Sequence, residues 1–132
     1  MNLRLIDAFG QFGAKLARLR AVSAIAADGA LVLTCAPVNF GHPARGVLRY
    51  EDRLSREPMD AKSAALLGEH LGLARDGELP VRMVVMVPAG AKTAGPRSFH
   101  VRPDLIGKIV KFDGDHFIID FRRREELNRK AR

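Results

Sequence analysis

The chain is poor in the residues that cross-link small proteins or anchor them in membranes. Its one cysteine, Cys35, excludes an internal disulfide and any zinc site built from cysteines, which needs at least two. No segment approaches the roughly 18 apolar residues of a transmembrane helix, and Asp7 interrupts the apolar start that a signal peptide would need. We therefore expect a cytoplasmic protein with no membrane partner.

Aromatic residues are also scarce, and acidic residues are fewer than basic ones. With seven Phe, one Tyr and no Trp, an aromatic cage or base-stacking surface would have to be built from Phe. The 15 acidic residues are outnumbered by 22 basic ones, which gives a formal net charge of +7 and a pI of about 10.3. A surface this positive attracts phosphate-rich or acidic partners.

Length and apolar content predict one small domain with its own core. The chain has 132 residues, of which 47% are hydrophobic. Apolar residues at helical spacing predict an amphipathic helix over Leu3–Leu19. A second helix is predicted over Ala61–Leu73, with Asp60 as its N-cap.

Turn residues and apolar runs predict about six short strands. Asp28-Gly29 predicts a hairpin between 20–27 and 30–36, and 113–115 predicts another between Ile106–Phe112 and His116–Arg122. Val47–Glu51 and Ser98–Arg102 suggest short strands, and Val81–Val87 a central one. Residues 37–46 and 88–97 are expected to be loops.

The predicted fold class is α+β, with a mixed or mainly antiparallel sheet and two main helices. A small, partly closed barrel with helices at its ends is one way to hide the edges of so many short strands. The expected domain covers 1–121, followed by a basic C-terminal tail or helix over 122–132, where six residues are basic and two acidic.

Motifs for catalysis and cofactor binding fail on spacing. Gly90-Ala91-Lys92-Thr93 lacks the glycine directly before Lys-Thr that a phosphate-binding loop requires. The four histidines are too far apart in sequence to form a local metal site, and Cys35 within an apolar run is typical of a buried structural residue. Asp60-Ala61-Lys62 is a weak nuclease signal, because Asp60 is better used as a helix cap. No catalytic residue, cofactor or metal ligand is therefore assigned.

The basic residues are the remaining candidates for binding. They lie in the 88–97 loop, on the final hairpin and at its end. Phosphate contact is assigned to Lys92, Arg97, Lys108, Lys111, Arg122, Arg123 and Arg124. Phe117, Ile119 and Phe121 alternate beside them, but are expected to face the core rather than stack on bases.

Three functions remain open. The leading hypothesis is a small non-catalytic module that binds nucleic acid or another polyanion through this Arg/Lys surface. The second is a regulatory or protein-interaction module for an acidic partner, with Val47–Glu51 as an exposed strand edge for docking. The third is an enzyme of unrecognised type. The sequence does not distinguish DNA, RNA and protein as partners, and it sets no oligomeric state.

Overall fold

The computed structural model describes residues 3–18, 20–56, 59–87 and 98–125. Two α-helices and eight strands occupy these ranges, in the α+β arrangement that the sequence predicts. The elements in chain order are α1 (Leu5–Gly10), β1 (Ser23–Ile25), β2 (Leu31–Cys35), β3 (Phe40–Ala44), β4 (Val47–Arg53), α2 (Ala61–Asp76), β5 (Val81–Met86), β6 (Phe99–Val101), β7 (Leu105–Phe112) and β8 (His116–Arg123). No helix in these ranges is long and apolar enough to cross a bilayer.

The strands form one mixed sheet that does not close into a barrel. Their order is β1-β2-β5-β7-β8-β4-β3, and β6 pairs with β5 outside this path. Strands β2 and β5 are parallel, whereas the other pairs are antiparallel. A single residue pair, Val81 with Gly107, joins β5 to β7. The sheet therefore consists of two well-paired parts with a short junction between them.

The main core lies on the face of the sheet that α2 covers. Alternation along β8 turns Phe117, Ile119 and Phe121 inward, where all three are buried, as the sequence predicts. From α2, Leu67 and Leu71 pack against this face. A smaller core on the opposite face joins α1 to the β1, β2 and β5 part of the sheet.

Local capping explains where α2 begins. The Asp60 carboxylate accepts a hydrogen bond from the Ser63 amide at 2.8 Å, which confirms Asp60 as the N-cap. Arg18 adds an ion pair to Asp60 at 3.2 Å and a hydrogen bond to the Ser63 hydroxyl at 2.7 Å. These contacts tie the start of α2 to the segment before β1.

The first helix is shorter than the predicted Leu3–Leu19. It ends at Gly10, and Gly13 has a φ of 72°, a left-handed conformation that does not continue a helix. Phe12 beyond the helix end packs against the smaller core. Apolar residues that are spaced as in one helix therefore belong here to a short helix and to the turn that follows it.

The predicted loop over 37–46 is also wrong, since most of it is structured. Pro37–Asn39 form a 3₁₀ turn, and β3 follows and pairs with β4. Strand β4 consequently lies between β8 and β3, so Val47–Glu51 is not the exposed edge that the sequence suggested. The edge strand on this side of the sheet is β3, and its Pro43 has no backbone N–H to donate.

Candidate functional site

Four arginines from three strands meet around the turn that joins β6 to β7. Arg82 lies on β5, Arg102 directly follows β6, Arg123 ends β8, and Arg124 is the next residue. The turn itself consists of Pro103 and Asp104. We call Arg82, Arg102, Arg123 and Arg124 the arginine cluster.

Hydrogen bonds hold the cluster to the turn. Arg82 Nη2 donates to the Pro103 carbonyl at 2.9 Å. Arg102 forms a bidentate pair with Asp104, from Nε to Oδ1 at 3.0 Å and from Nη2 to Oδ2 at 2.8 Å. The Arg124 amide donates to the Asp104 carbonyl at 2.9 Å. One short turn therefore positions residues from three strands.

The electrostatics of the cluster show an excess of positive charge. Hydrogen bonding from Arg102 lowers the pKa of the Asp104 carboxyl, and Arg123 contributes to the same shift through its charge. Burial, followed by repulsion from Arg124, lowers the pKa of Arg82. Among the residues that the structure describes, Arg123 and Arg124 form no ion pair. Within the described ranges, their exposed guanidinium groups are therefore available to an anionic partner.

A groove adjoins the arginine cluster at the open side of the sheet. It consists of two depressions of about 430 Å³ and about 250 Å³. Leu48 and Arg102 line both, so the two depressions are adjacent. We call this feature the lateral groove. It passes between β4, on one side, and β5 and β6, on the other.

The two parts of the lateral groove differ in chemistry. The larger part is mostly apolar, with Phe40, Met83 and Val85 among its lining residues. The smaller part is lined by His42 and Arg123, beside the apolar Leu105 and Phe121. An apolar floor therefore lies beside a cationic rim formed by Arg102 and Arg123 of the arginine cluster.

Three of the sequence-predicted site residues lie on the outer face of the β7–β8 hairpin. Lys108 lies opposite Asp120, whose carboxylate is held by Arg49 in a bidentate pair at 2.7 and 2.9 Å. Lys111 lies near the Asp113 carboxylate at 4.0 Å. Arg122 is half-buried opposite Ile106. Carboxylates alternate with cations here, so this face is less positive than the arginine cluster.

The outer face also carries a charged network that was not predicted from the sequence. His116 Nε2 contacts the Glu51 carboxylate on β4, and its Nδ1 lies 3.0 Å from Lys111 Nζ. Lys111 is therefore occupied in a network of side chains. This places it among the less available of the predicted phosphate contacts.

The structure thus separates the predicted binding residues. Arg123 and Arg124 belong to the arginine cluster, whereas Lys108, Lys111 and Arg122 lie on the neighbouring outer face. Lys92 and Arg97 lie outside the described residues. Sequence reasoning missed Arg82 and Arg102, because each is a single basic residue on its strand and only strand pairing brings it to the site.

Groups that could do other chemistry are buried or structural. Ser23 Oγ lies 2.8 Å from His70 Nδ1, but Ser23 is only 1% exposed, so this pair is closed to a substrate. Cys35 is fully buried, and this burial raises the pKa of its thiol far above the usual range. Within the described ranges, no three His, Cys, Asp or Glu side chains are grouped so that they could hold a metal ion.

The buried side chains of Tyr50 and Asp52, which lie near Cys35, have a structural role. The Tyr50 hydroxyl accepts a hydrogen bond from the Ala36 amide at 3.1 Å and donates to Asp52 at 2.8 Å. Arg56 Nε lies 2.8 Å from the same carboxylate, in an ion pair whose N–H is not aligned for a hydrogen bond. These contacts join β4 to the end of β2 and neutralise the buried Asp52 charge.

Comparison with known proteins adds no assignment. No protein-family model, curated protein or solved structure matches the chain. The function must therefore be argued from the arginine cluster and the lateral groove themselves.

Proposed function

We propose that this protein is a non-catalytic module that binds nucleic acid through the arginine cluster. The observation that carries the proposal is the meeting of four guanidinium groups with only two carboxylates, Asp28 and Asp104, acting on them among the described residues. Guanidinium groups bind phosphate oxygens with paired N–H donors, and they stay charged at any physiological pH. Their role would be to supply affinity for the phosphate backbone rather than to read bases.

The formal charge of the whole chain supports the same partner. A net charge of +7 speeds the approach of a polyanion at low ionic strength. If four phosphates are neutralised, the affinity for single strands should fall with salt with a log–log slope of about −3. The corresponding slope for duplex DNA is about −3.6.

The first experiment measures nucleic-acid binding against salt concentration for the wild type and two double variants. Arg123→Gln with Arg124→Gln should weaken binding and reduce the magnitude of the single-strand slope by about 1.4. The matched control is Lys15→Gln with Lys62→Gln, which removes the same charge from exposed positions outside the cluster. The control should change the slope much less.

Two results would contradict the proposal. One is the absence of binding to any nucleic acid at low ionic strength. The other is an equal loss of affinity in both double variants, which would mean that net charge alone attracts the nucleic acid. Binding that does not respond to salt would exclude phosphate contact as its main source.

A protein-interaction module for an acidic partner is the second candidate function. The observation that favours it is the exposed edge strand β3, next to Val38, whose surface is 86% exposed. Affinity capture distinguishes the two functions. One stoichiometric acidic protein that is retained after nuclease treatment would favour this candidate, whereas nuclease-sensitive capture would favour nucleic acid.

A further inference from the structure

We infer that the lateral groove binds one nucleotide unit of a single strand, with the base on its apolar floor and the phosphate on Arg102 and Arg123. This inference rests on the proposed function and makes it more specific. It assigns to the groove a contact with a base, in addition to the phosphate contacts of the arginine cluster.

The apolar part of the groove suits the face of a base. Phe40 lines it and is half-buried, and its ring packs against Tyr50 with the centroids 5.0 Å apart. This contact limits the positions that the Phe40 ring can take. Leu48 and Val87, both half-buried, complete an apolar surface, and stacking on such a surface is available to every base. The volume of about 430 Å³ lies within the range of about 300–1,000 Å³ that small-molecule sites occupy.

The cationic part lies at the right place for the phosphate. Leu48 and Arg102 border both parts of the groove, so a ligand that extends across these two side chains would contact the apolar floor and the rim together. Arg102 is oriented by its bidentate pair with Asp104, and Arg123 makes no ion pair with any described residue. A nucleotide has this combination of a flat, weakly polar ring and a phosphate a few bonds away.

The same geometry selects single strands over duplexes. The bases of a duplex are stacked and paired, so a base can enter a groove only after it leaves the stack, at a cost in free energy. Bases of a single strand are already accessible to aromatic and apolar side chains. We therefore expect the protein to prefer a single strand to a duplex at equal salt.

The test compares two oligonucleotides with the same number of phosphates. One is a single-stranded oligodeoxythymidylate and the other is its abasic counterpart. Stacking of one base in the groove predicts that wild-type protein binds the base-bearing strand about tenfold more tightly. Thymidine monophosphate serves as a third ligand, and its competition for the site shows whether a free nucleotide is also accepted.

Two variants locate the base. Leu48→Gln makes the shared part of the groove polar and should remove the tenfold preference without weakening binding of the abasic strand. Val87→Gln changes another lining residue of the larger depression and serves in its place if Leu48→Gln lowers the melting temperature markedly. The control is Val38→Gln, an exposed apolar residue outside the groove. It should keep the preference.

The outcomes separate this inference from the proposed function. Equal, salt-dependent binding of the base-bearing and abasic strands would overturn the base site and leave phosphate binding intact. Failure of both strands to bind would overturn both. Competition by dodecyl phosphate but not by thymidine monophosphate would also overturn the inference, because the groove would then be selecting an alkyl chain.

Discussion

Substitution of Gly107 by alanine tests the packing between β7 and β8. A Cβ at this position would lie 2.6 and 2.7 Å from two ring carbons of Phe121 and 3.0 Å from Ile119 Cγ2. Carbon atoms in contact prefer a separation of about 3.5–4.0 Å, so the ring would have to move by almost 1 Å. Phe121 and Ile119 are both 0% exposed, and neither can move without displacing the core around it.

The expected cost follows from two opposing effects. Overpacking of a filled core costs about 1–3 kcal/mol. Replacing glycine in a strand gains about 0.5–1 kcal/mol because the unfolded chain loses conformational freedom. We expect Gly107→Ala to lower the free energy of unfolding by about 1–2 kcal/mol, which corresponds to a fall in melting temperature of about 3–10 °C.

The measurement is urea unfolding followed by circular dichroism, with thermal unfolding as a second assay. The control is Gly72→Ala in α2, where the new Cβ has no neighbouring atom within 4 Å. This change should raise the free energy of unfolding by up to about 1 kcal/mol. If Gly107→Ala is as stable as the wild type while Gly72→Ala behaves as expected, the close approach of Phe121 to Gly107 is wrong.

Three further measurements test the helix cap, the half-buried His70 and the thiol. Asp60→Ala removes the acceptor for the Ser63 amide and should cost about 1–2 kcal/mol in urea unfolding; Asp76→Ala, at the other end of α2, should cost none, and an equal loss in both would refute the capping role. Burial lowers the pKa of His70, so the unfolded state protonates first as the pH falls below about 6.5. Stability should therefore decrease from pH 7.5 to 5.5 by more in the wild type than in His70→Asn, and equal decreases would refute this effect. Cys35 should react with a thiol reagent only after unfolding, so rapid modification of the native protein would contradict its burial.

The elements that the sequence predicts well are those set by neighbouring residues. Asp28-Gly29 forms the β1–β2 turn with a Gly29 φ of 91°, and Gly114 has a φ of 105° in the β7–β8 turn. Both conformations favour glycine, so a few consecutive residues determine the type of each turn. The same holds for the start of α2, where one carboxylate caps the helix.

Elements that depend on distant partners are predicted poorly. Gly41 and Pro43 give β3 the composition of a loop, yet pairing with β4 makes it a strand. The first helix shows the opposite error, since its apolar spacing continues past the end at Gly10. In both cases contacts with other elements outweigh the local preference.

The residues of the candidate site also divide into those that neighbouring residues identify and those that only distant contacts identify. Arg123 and Arg124 could be chosen from the sequence because they form part of a basic run. Arg82 and Arg102 could not, because each is surrounded by apolar residues or a turn, and its role depends on the order of four strands. A net charge indicates a class of partner, but only strand pairing shows where the charges meet.

The parallel pairing of β2 with β5 has a consequence for how the chain folds. Leu31 pairs with Val81, about 50 residues further along, and β3, β4 and α2 lie between them. The β7–β8 hairpin, by contrast, joins residues that are close in sequence and can form within microseconds. Pairing β2 with β5 closes a long loop, which costs chain entropy. The contacts between the two strands compensate for this cost only after the loop has closed. We expect this step to limit the folding rate, so that substitutions in β2 slow refolding more than substitutions at the end of α1.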